Sequence, residues 1–390
     1  MKLHEYQSKM MLRDLGVPVP ENGGTATTPG AARAACEALG GRAVLKAQVH
    51  TGGRGKAGGI RIAESPADAE RLASEMLGML LKTHQAPEGL RVETLLIEAP
   101  LVMTREFYAG IVPDRSVGRN TLILSAMGGM DIEAVAAERP EAVARERIDP
   151  ALGLRPYQAR RACVHAGIPE ELIRGLTPML VTLYDAYIRL DATLLEINPL
   201  AVTDTGALVA ADAKVIIDDN AMYRHPELAD WNEDAADNPI EAEAQRRGIQ
   251  YVHLDGTVGV MGNGAGLVMG TLDEVARAGG KAANFLDVGG GARADVVQSS
   301  LELILMNPAV RSVLVNIYGG ITRCDEVARG ILQATSAMEI DVPIIVRLAG
   351  TRAAEGAALL AGSHLTPALS MQEAAQLAVD AAAGGRVVDG

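Results

Sequence analysis

Residues Ala43–Ile62, AVLKAQVHTGGRGKAGGIRI, decide how the rest of the chain is read. The spacing predicts a strand (Ala43–Val49), a glycine-rich turn and a second strand. Lys46 and Gln48 are two apart and share one face of the first strand. A lysine in so apolar a strand needs an anionic partner, because an unpaired buried ammonium costs several kcal/mol. Glycines at 52, 53, 55, 58 and 59 let backbone N–H groups approach an anion, and Arg54 and Lys56 add charge. GRGKAG satisfies G-x-G-x-x-G, but a dinucleotide fold needs that motif to open a helix. Here an alternating IRI follows, so a lid laid over nucleotide phosphates by two antiparallel strands is the better reading. A flexible glycine hairpin with solvated cations is the competing one.

Composition narrows the setting. The 390 residues suffice for two domains with full cores. The net charge of −13 argues against nucleic acid or an anionic membrane as the main partner. A nucleotide site must then be a local basic patch, which residues 42–56 supply. Cys36, Cys163 and Cys324 lie far apart without a CxxC, as expected of reduced cysteines in a cytoplasmic protein. No apolar run reaches membrane-spanning length.

Along the chain, an amphipathic helix over about Leu3–Leu15 is expected to turn Leu3, Tyr6 and Met10 to one side, with Gly16 ending it. Helices follow at about Pro29–Leu39 and Ser65–Leu81, the latter opened by a serine cap and Pro66. RVETLLIEAP ends in a buried strand finishing on Glu98. Such a glutamate can read an adenine amino group or ribose hydroxyl, or simply mark a strand emerging into water. Glu106 faces the same way as Tyr108. TLILSAMGGMDIEAVAAE is a strand, a GG turn and a helix capped by Asp131. A long helical region covers about Arg155–Leu190.

TLLEINPLAVTDTGALVAADAKVIIDD then reads as a hairpin turning near Thr203–Gly206. With the turn centred on residue 205, paired residue numbers sum to 410. Asn198 then faces Asp212, and Glu196 faces Lys214 as a cross-strand ion pair. Two oxygen donors facing each other suit Mg²⁺, which keeps waters and phosphates in its shell. The same residues could also be a solvated polar hairpin face. An acidic stretch, Glu227–Glu241, is the expected linker. From VGVMGN onward, continuous apolar strands alternate with helices, which means a parallel, doubly wound sheet. Three glycine turns (262–266, 289–291 and 319–320) follow strand C-termini, the edge where such sheets bind anions. This half carries no evident nucleophile.

LHEYQSK, VLKAQVHTGGRGKAGG, LLEINPL, the aspartate of ADAK, NGAGLVMGT, ANFLDVGGGA and LVNIYGGITRCD run in one collinear order over nearly the whole chain. Together they resemble the beta subunits of succinate–CoA ligases (succinyl-CoA synthetases). The resemblance implies an α/β chain: an ATP-grasp domain with antiparallel sheets (1–238), then a flavodoxin-like, parallel-sheet CoA-ligase domain (239–390). It implies an ATP-dependent ligase acting in the tricarboxylic acid cycle. It also implies an alpha-subunit partner that binds CoA and carries a phosphorylated histidine, in an αβ or α2β2 hetero-oligomer. Lys46, Gly53, Arg54 and Gly55 would contact ATP or ADP phosphates, with Glu98, Leu101 and Glu106 along the nucleotide. Asn198 and Asp212 would hold Mg²⁺. Glu196 would help place the partner's histidine. Asn263 and Gly320, Ile321 and Thr322 would face the carboxylic acid and the phosphohistidine. Pro20 resembles the residue of ATP-using members. Departures are MGN before GAG, PDR after GIV, and Pro100 in the loop after Glu98. A malate–CoA ligase or another dicarboxylate relative shares nearly every motif. A non-catalytic nucleotide-binding subunit is the alternative from a different class.

Overall fold

The computed structural model describes residues 1–228, 231, 238–289, 294–321, 323–337 and 340–384. They fall into two compact units, Met1–Ala235 and Ala236–Gly390.

The first unit runs α1 (Glu5–Asp14), β1 (Asn22–Ala26), α2 (Pro29–Ala38), β2 (Ala43–Ala47), β3 (Ile60–Ala63), α3 (Pro66–Met76), β4 (Leu80–Leu81), β5 (Leu90–Arg91) and β6 (Leu95–Glu98). It continues with β7 (Met103–Asp114), β8 (Arg119–Ser125), α4 (Ile132–Glu138), β9 (Val143–Ile148), α5 (Pro156–His165), α6 (Glu170–Arg189), β10 (Ala192–Thr203), β11 (Leu208–Ala210) and β12 (Lys214–Ile217). Two larger antiparallel sheets result, ordered β1-β6-β2-β3 and β11-β10-β7-β8-β9 with β12 paired to β10, beside a two-stranded β4-β5 ribbon. In the first sheet the odd residues Ala43, Leu45 and Ala47 pack with Cys36, Leu72 and Met76 of α2 and α3. Lys46 therefore leaves on the opposite face. Leu176, Leu180 and Leu183 of α6 cover the second sheet against Ile111, Leu122 and Ile197.

Three helices differ from their sequence-based expectation. α1 does not bury Tyr6 and Met10; its buried residues are Glu5, Gln7, Ser8, Lys9 and Leu12. Charge pairing, not hydrophobic patterning, sets its face. The Ser65 helix stops at Met76, because Gly78 adopts φ +82° and the chain turns into β4. The long region near 155–190 is two helices, broken at Gly167 (φ +72°) and Pro169. The expected linker also begins later than its composition suggests: Leu228 is buried in the first unit's core and Trp231 packs against it. Residues 229, 230 and 232–237 lie outside the described set.

The second unit comprises α7 (Pro239–Arg246), β13 (Gln250–His253), β14 (Val258–Gly262), α8 (Ala265–Arg277), β15 (Asn284–Asp287), α9 (Ala294–Leu305), β16 (Ser312–Gly319), α10 (Cys324–Ala337), β17 (Ile344–Gly350), α11 (Ala353–Leu360), β18 (Thr366–Ala368) and α12 (Met371–Ala382). Its sheet order is β13-β15-β14-β16-β17-β18. All neighbours are parallel except β13, an antiparallel edge strand on β15 that periodicity alone did not reveal. α9 and α10 cover one face and α8 and α12 the other. The order reverses between β14 and β16, so the crevice of this doubly wound sheet opens at their C-termini. That is where Asn263 and the 319–321 turn stand.

Candidate functional site

The glycine-rich turn is folded upon itself. Gly59 N–H donates to Arg54 O at 2.8 Å and Ala57 N–H to Gly53 O at 3.3 Å, with Gly53 at φ +75° and Gly58 at φ +81°. Gly53, Gly55 and Lys56 are exposed. A second turn, between β4 and β5, is tied to it. Thr51 and Thr83 share a 2.6 Å hydroxyl hydrogen bond, and Gly52 N–H donates to Gln85 Oε1 at 2.8 Å.

Beneath the turn lies a nest of six charges. Lys46 Nζ donates to Glu5 Oε1 (2.8 Å) and Ala211 O (2.7 Å) and pairs with Glu98 Oε2 at 2.9 Å. Lys9 Nζ holds both Glu98 oxygens (2.8 and 2.7 Å), Glu5 Oε1 (2.7 Å) and Ala211 O (2.7 Å). Arg54 spans Glu5 Oε2 and Asp212 Oδ2, each at 2.8 Å, and donates to Ala47 O at 2.9 Å. Glu5, Lys9, Lys46 and Glu98 are all buried. Burial alone would raise Glu5, yet Lys46, Lys9 and Arg54 hold it well below the usual carboxylate range. Burial opposes the charge of Lys46 too, but Glu5, Glu98 and Asp212 prevail and raise it. For Lys9 burial prevails and the ammonium is lowered. The anionic partner that Lys46 demands is thus present within the chain. Glu98 does not emerge into water at its strand end; it is clamped by two lysines. Apolar periodicity along α1 does not single out Glu5 and Lys9. Their i, i+4 opposite charges were the available signal.

The second signal hairpin keeps its expected register: Glu196 faces Lys214 and Leu200 faces Ala210. Asn198 and Asp212 fall in the gap between those pairs. Asp212 Oδ1 accepts from Ala213 N–H at 2.8 Å. Asn198 Oδ1 accepts from Gly129 N–H (2.7 Å), and its Nδ2 donates to Met130 O (2.9 Å). Gly128 N–H donates to Glu106 O at 3.1 Å. A side chain at Gly129 would strike the Glu106 carboxylate. The GG turn therefore joins Glu106 to Asn198, while Arg54 joins Asp212 to Lys46's partners. Leu101 is half-buried in the connection from β6 to β7. The expected contact ion pair Glu196–Lys214 does not form. Lys214 is exposed, and it acts on Glu196 only through space. Burial raises the Glu196 carboxyl against that influence, and Glu133, Asp212 and Asp131 add to the rise. Tyr108 is raised by burial and by Glu196 and Glu133. Asp131 caps α4, accepting from Glu133 N–H (3.0 Å) and Ala134 N–H (3.3 Å). Among the described residues, no group of three or more His, Cys, Asp or Glu could cage a metal. The oxygen donors Asn198 and Asp212, in this acidic field, fit a hard cation shared with phosphates.

In the second unit Asn263 clamps the end of β16. Its Nδ2 donates to Tyr318 O (2.9 Å) and its Oδ1 accepts from Tyr318 N–H (2.8 Å). Asp287 Oδ1 accepts from Gly264 N–H (2.6 Å) and Gly289 N–H (2.8 Å), gathering two glycine turns. A side chain at Gly319 would meet Cys324 Sγ and Thr351 O at 2.8 Å, whereas Gly320 borders open space and Ile321 is fully exposed. Thr322 and glycines 290 and 291 lie outside the described residues. Next to this turn, Asp325 is buried at the start of α10. It is met by Arg323 (2.7 Å), Arg329 (3.4 Å) and Arg352 (3.5 Å), and the first of these does most to hold it at about 2. The three cysteines are buried and free. Among the described residues no helix is long and apolar enough to cross a membrane.

Comparison with known proteins follows the same two-part division. An ATP-grasp domain model matches residues 2–202 and a CoA-ligase model residues 261–381. The chain is 49% identical over 385 residues (99% of this chain, 100% of the relative) to "Succinate--CoA ligase [GDP-forming] subunit beta" of Thermus thermophilus. It is 46% identical over 388 residues (98% and 100%) to "Succinate--CoA ligase [ADP-forming] subunit beta" of Nautilia profundicola. Among solved structures, ATP citrate lyase from Methanothrix soehngenii shares the fold, with TM-score 0.67 and 19% identity over 97% of this chain and 99% of that one.

Proposed function

The chain belongs to the succinate–CoA ligase beta-subunit family, and from that premise we propose that it is the nucleotide-handling subunit of an ADP-forming succinate–CoA ligase. The complex interconverts succinyl-CoA, ADP and phosphate with succinate, CoA and ATP. One observation carries the assignment. Lys46 and Arg54 of the glycine-rich stretch are tied through Glu5 to Asp212, far along the chain, in one charge network under the glycine turn.

In this reading succinyl-CoA and phosphate give succinyl phosphate and CoA. A histidine of an alpha-subunit partner takes the phosphoryl group and passes it to ADP. Phosphoryl transfer needs mainly positioning and charge neutralisation. Lys46, Arg54 and the amides of Gly53 and Gly55 hold the phosphates; Glu98, Leu101 and Glu106 lie along the nucleotide. Asn198 and Asp212 hold Mg²⁺, which neutralises phosphate charge when bound. Glu196, raised by burial and then by its acidic neighbours, receives the partner's imidazole in a hydrogen bond. Asn263, Gly320 and Ile321 face the acid and the phosphohistidine, with the α10 N-terminus worth roughly 0.3–2 kcal/mol to a dianion. The division at about residue 238 separates these two tasks, in a cytoplasmic αβ or α2β2 assembly.

The test is the purified complex incubated with γ-labelled ATP and Mg²⁺. The alpha partner acquires an acid-labile, base-stable label that succinate and CoA discharge. No label on the alpha partner overturns the proposal. Parallel runs with GTP decide the nucleotide, since relatives carrying either name align over the full chain.

A further inference from the structure

Two members of the charge nest, Glu5 and Lys9, come from α1 and have no part in the phosphoryl chemistry set out above. Their geometry has a specific form. The three acceptors of the Lys46 ammonium are Glu5 Oε1, Ala211 O and Glu98 Oε2. Lys9 Nζ already reaches every one of them, at 2.7 Å each. Two ammonium groups thus share one set of oxygens. Arg54 likewise occupies Asp212 Oδ2, one of the two oxygens that residue could offer a metal. As it stands the nest is closed: three cations against three carboxylates.

We propose that Lys9 is a positioning residue that keeps Glu5 and Glu98 paired when Lys46 and Arg54 turn from carboxylate to nucleotide phosphate. The inference rests on the nucleotide reading of this unit. Lys46 can leave its acceptors without orphaning a buried carboxylate, because Lys9 stays on each of them. Arg54, in leaving Asp212, uncovers the oxygen that a divalent cation accompanying the phosphates takes up. The nest is thereby a partner exchange: anionic phosphate replaces carboxylate at two cations, and the cation replaces Arg54 at Asp212. No proton has to move.

The test is ATP binding to the full-length chain in the presence of Mg²⁺, by calorimetry, with wild type, Lys9→Met, Lys9→Gln and Lys9→Arg. Lys9→Met and Lys9→Gln raise the Kd for ATP at least about tenfold, while Lys9→Arg stays within about threefold of wild type. In the assembled enzyme the loss appears in KM for ATP with kcat little changed, because ground state and transition state lose the same support. Binding by either neutral variant within twofold of wild type, or an arginine variant as weak as the methionine one, overturns the proposal. Where the neutral variants do not fold, the wild-type chain crystallised with an ATP analogue and Mg²⁺ decides. Lys9 on Glu98 with Lys46 on phosphate supports the exchange, and Lys46 still on Glu98 refutes it. A wild-type chain that binds no ATP sinks the nucleotide reading itself, a separate failure.

Discussion

Lys46 was conspicuous in the sequence because a lone ammonium in an apolar strand demands an anion. What could not be read was that the anion comes from the chain's own Glu5 and Glu98, since only tertiary packing brings residues 5 and 98 to it. Lys46→Ala should end ATP-dependent labelling of the alpha partner. It leaves Lys9 to hold the carboxylates, so the chain should stay folded, at a cost below the roughly 3–5 kcal/mol of leaving a buried charge unpaired. Asp212→Ala, at a more open position, should end labelling with a smaller stability loss. Urea melts and the labelling assay check both; full activity in either variant refutes the site. Asp325 gives a pH prediction. Three arginines hold its carboxyl at about 2, below the ordinary value near 3.8. A folded-state value below the unfolded one adds stability at higher pH, and that gain disappears as pH falls from about 4 to 2. Asp325→Asn should therefore lower the melting temperature at pH 6 and converge with wild type near pH 2. Parallel melting curves across that range read it out.

At the scale of elements, the Glu196–Lys214 register was legible because pairing in a hairpin follows from where it turns. The β2–turn–β3 unit was legible because glycine clusters and strand alternation are local signals. α1 departs from the expected face because it buries Glu5 and Lys9 beside Leu12, and periodicity counts only apolar residues. β13 was missed because four residues carry too little pattern. The turn at Gly128–Gly129 looked like ordinary punctuation, yet a side chain at Gly128 would meet Phe107 N and O at 2.5 Å. Gly128→Ala should push the turn off Asn198 and cost about 1–3 kcal/mol by overpacking. A weaker ATP affinity with a lowered melting temperature is the expected result; an unchanged affinity would show that the turn does not place Asn198. The β4–β5 turn is a brace for the glycine-rich one. Gln85→Ala removes the acceptor of Gly52 N–H, so exchange of that amide should speed up about tenfold, in proportion to one lost hydrogen bond. Exchange at an unaltered rate would exclude the brace.

For the whole molecule, the composition shift after the acidic stretch leads to the expectation of a boundary near residue 238; contacts within the chain group it into the compact units Met1–Ala235 and Ala236–Gly390. The second unit's order, β15-β14-β16-β17-β18, is the doubly wound one that strand–helix alternation led us to expect, with β13 added at its edge. The balanced nest in the first unit, set in a chain of net charge −13, carries a kinetic consequence. Its three positive and three negative groups carry no net charge, so at long range a polyanion diffusing in from bulk meets mainly the repulsive far field of the protein. Capture of free nucleotide should then quicken, not slow, as ionic strength rises and the Debye length shrinks from about 30 Å to about 8 Å. Stopped-flow on-rates that fall with added salt would mean that attraction reaches past the pocket mouth after all.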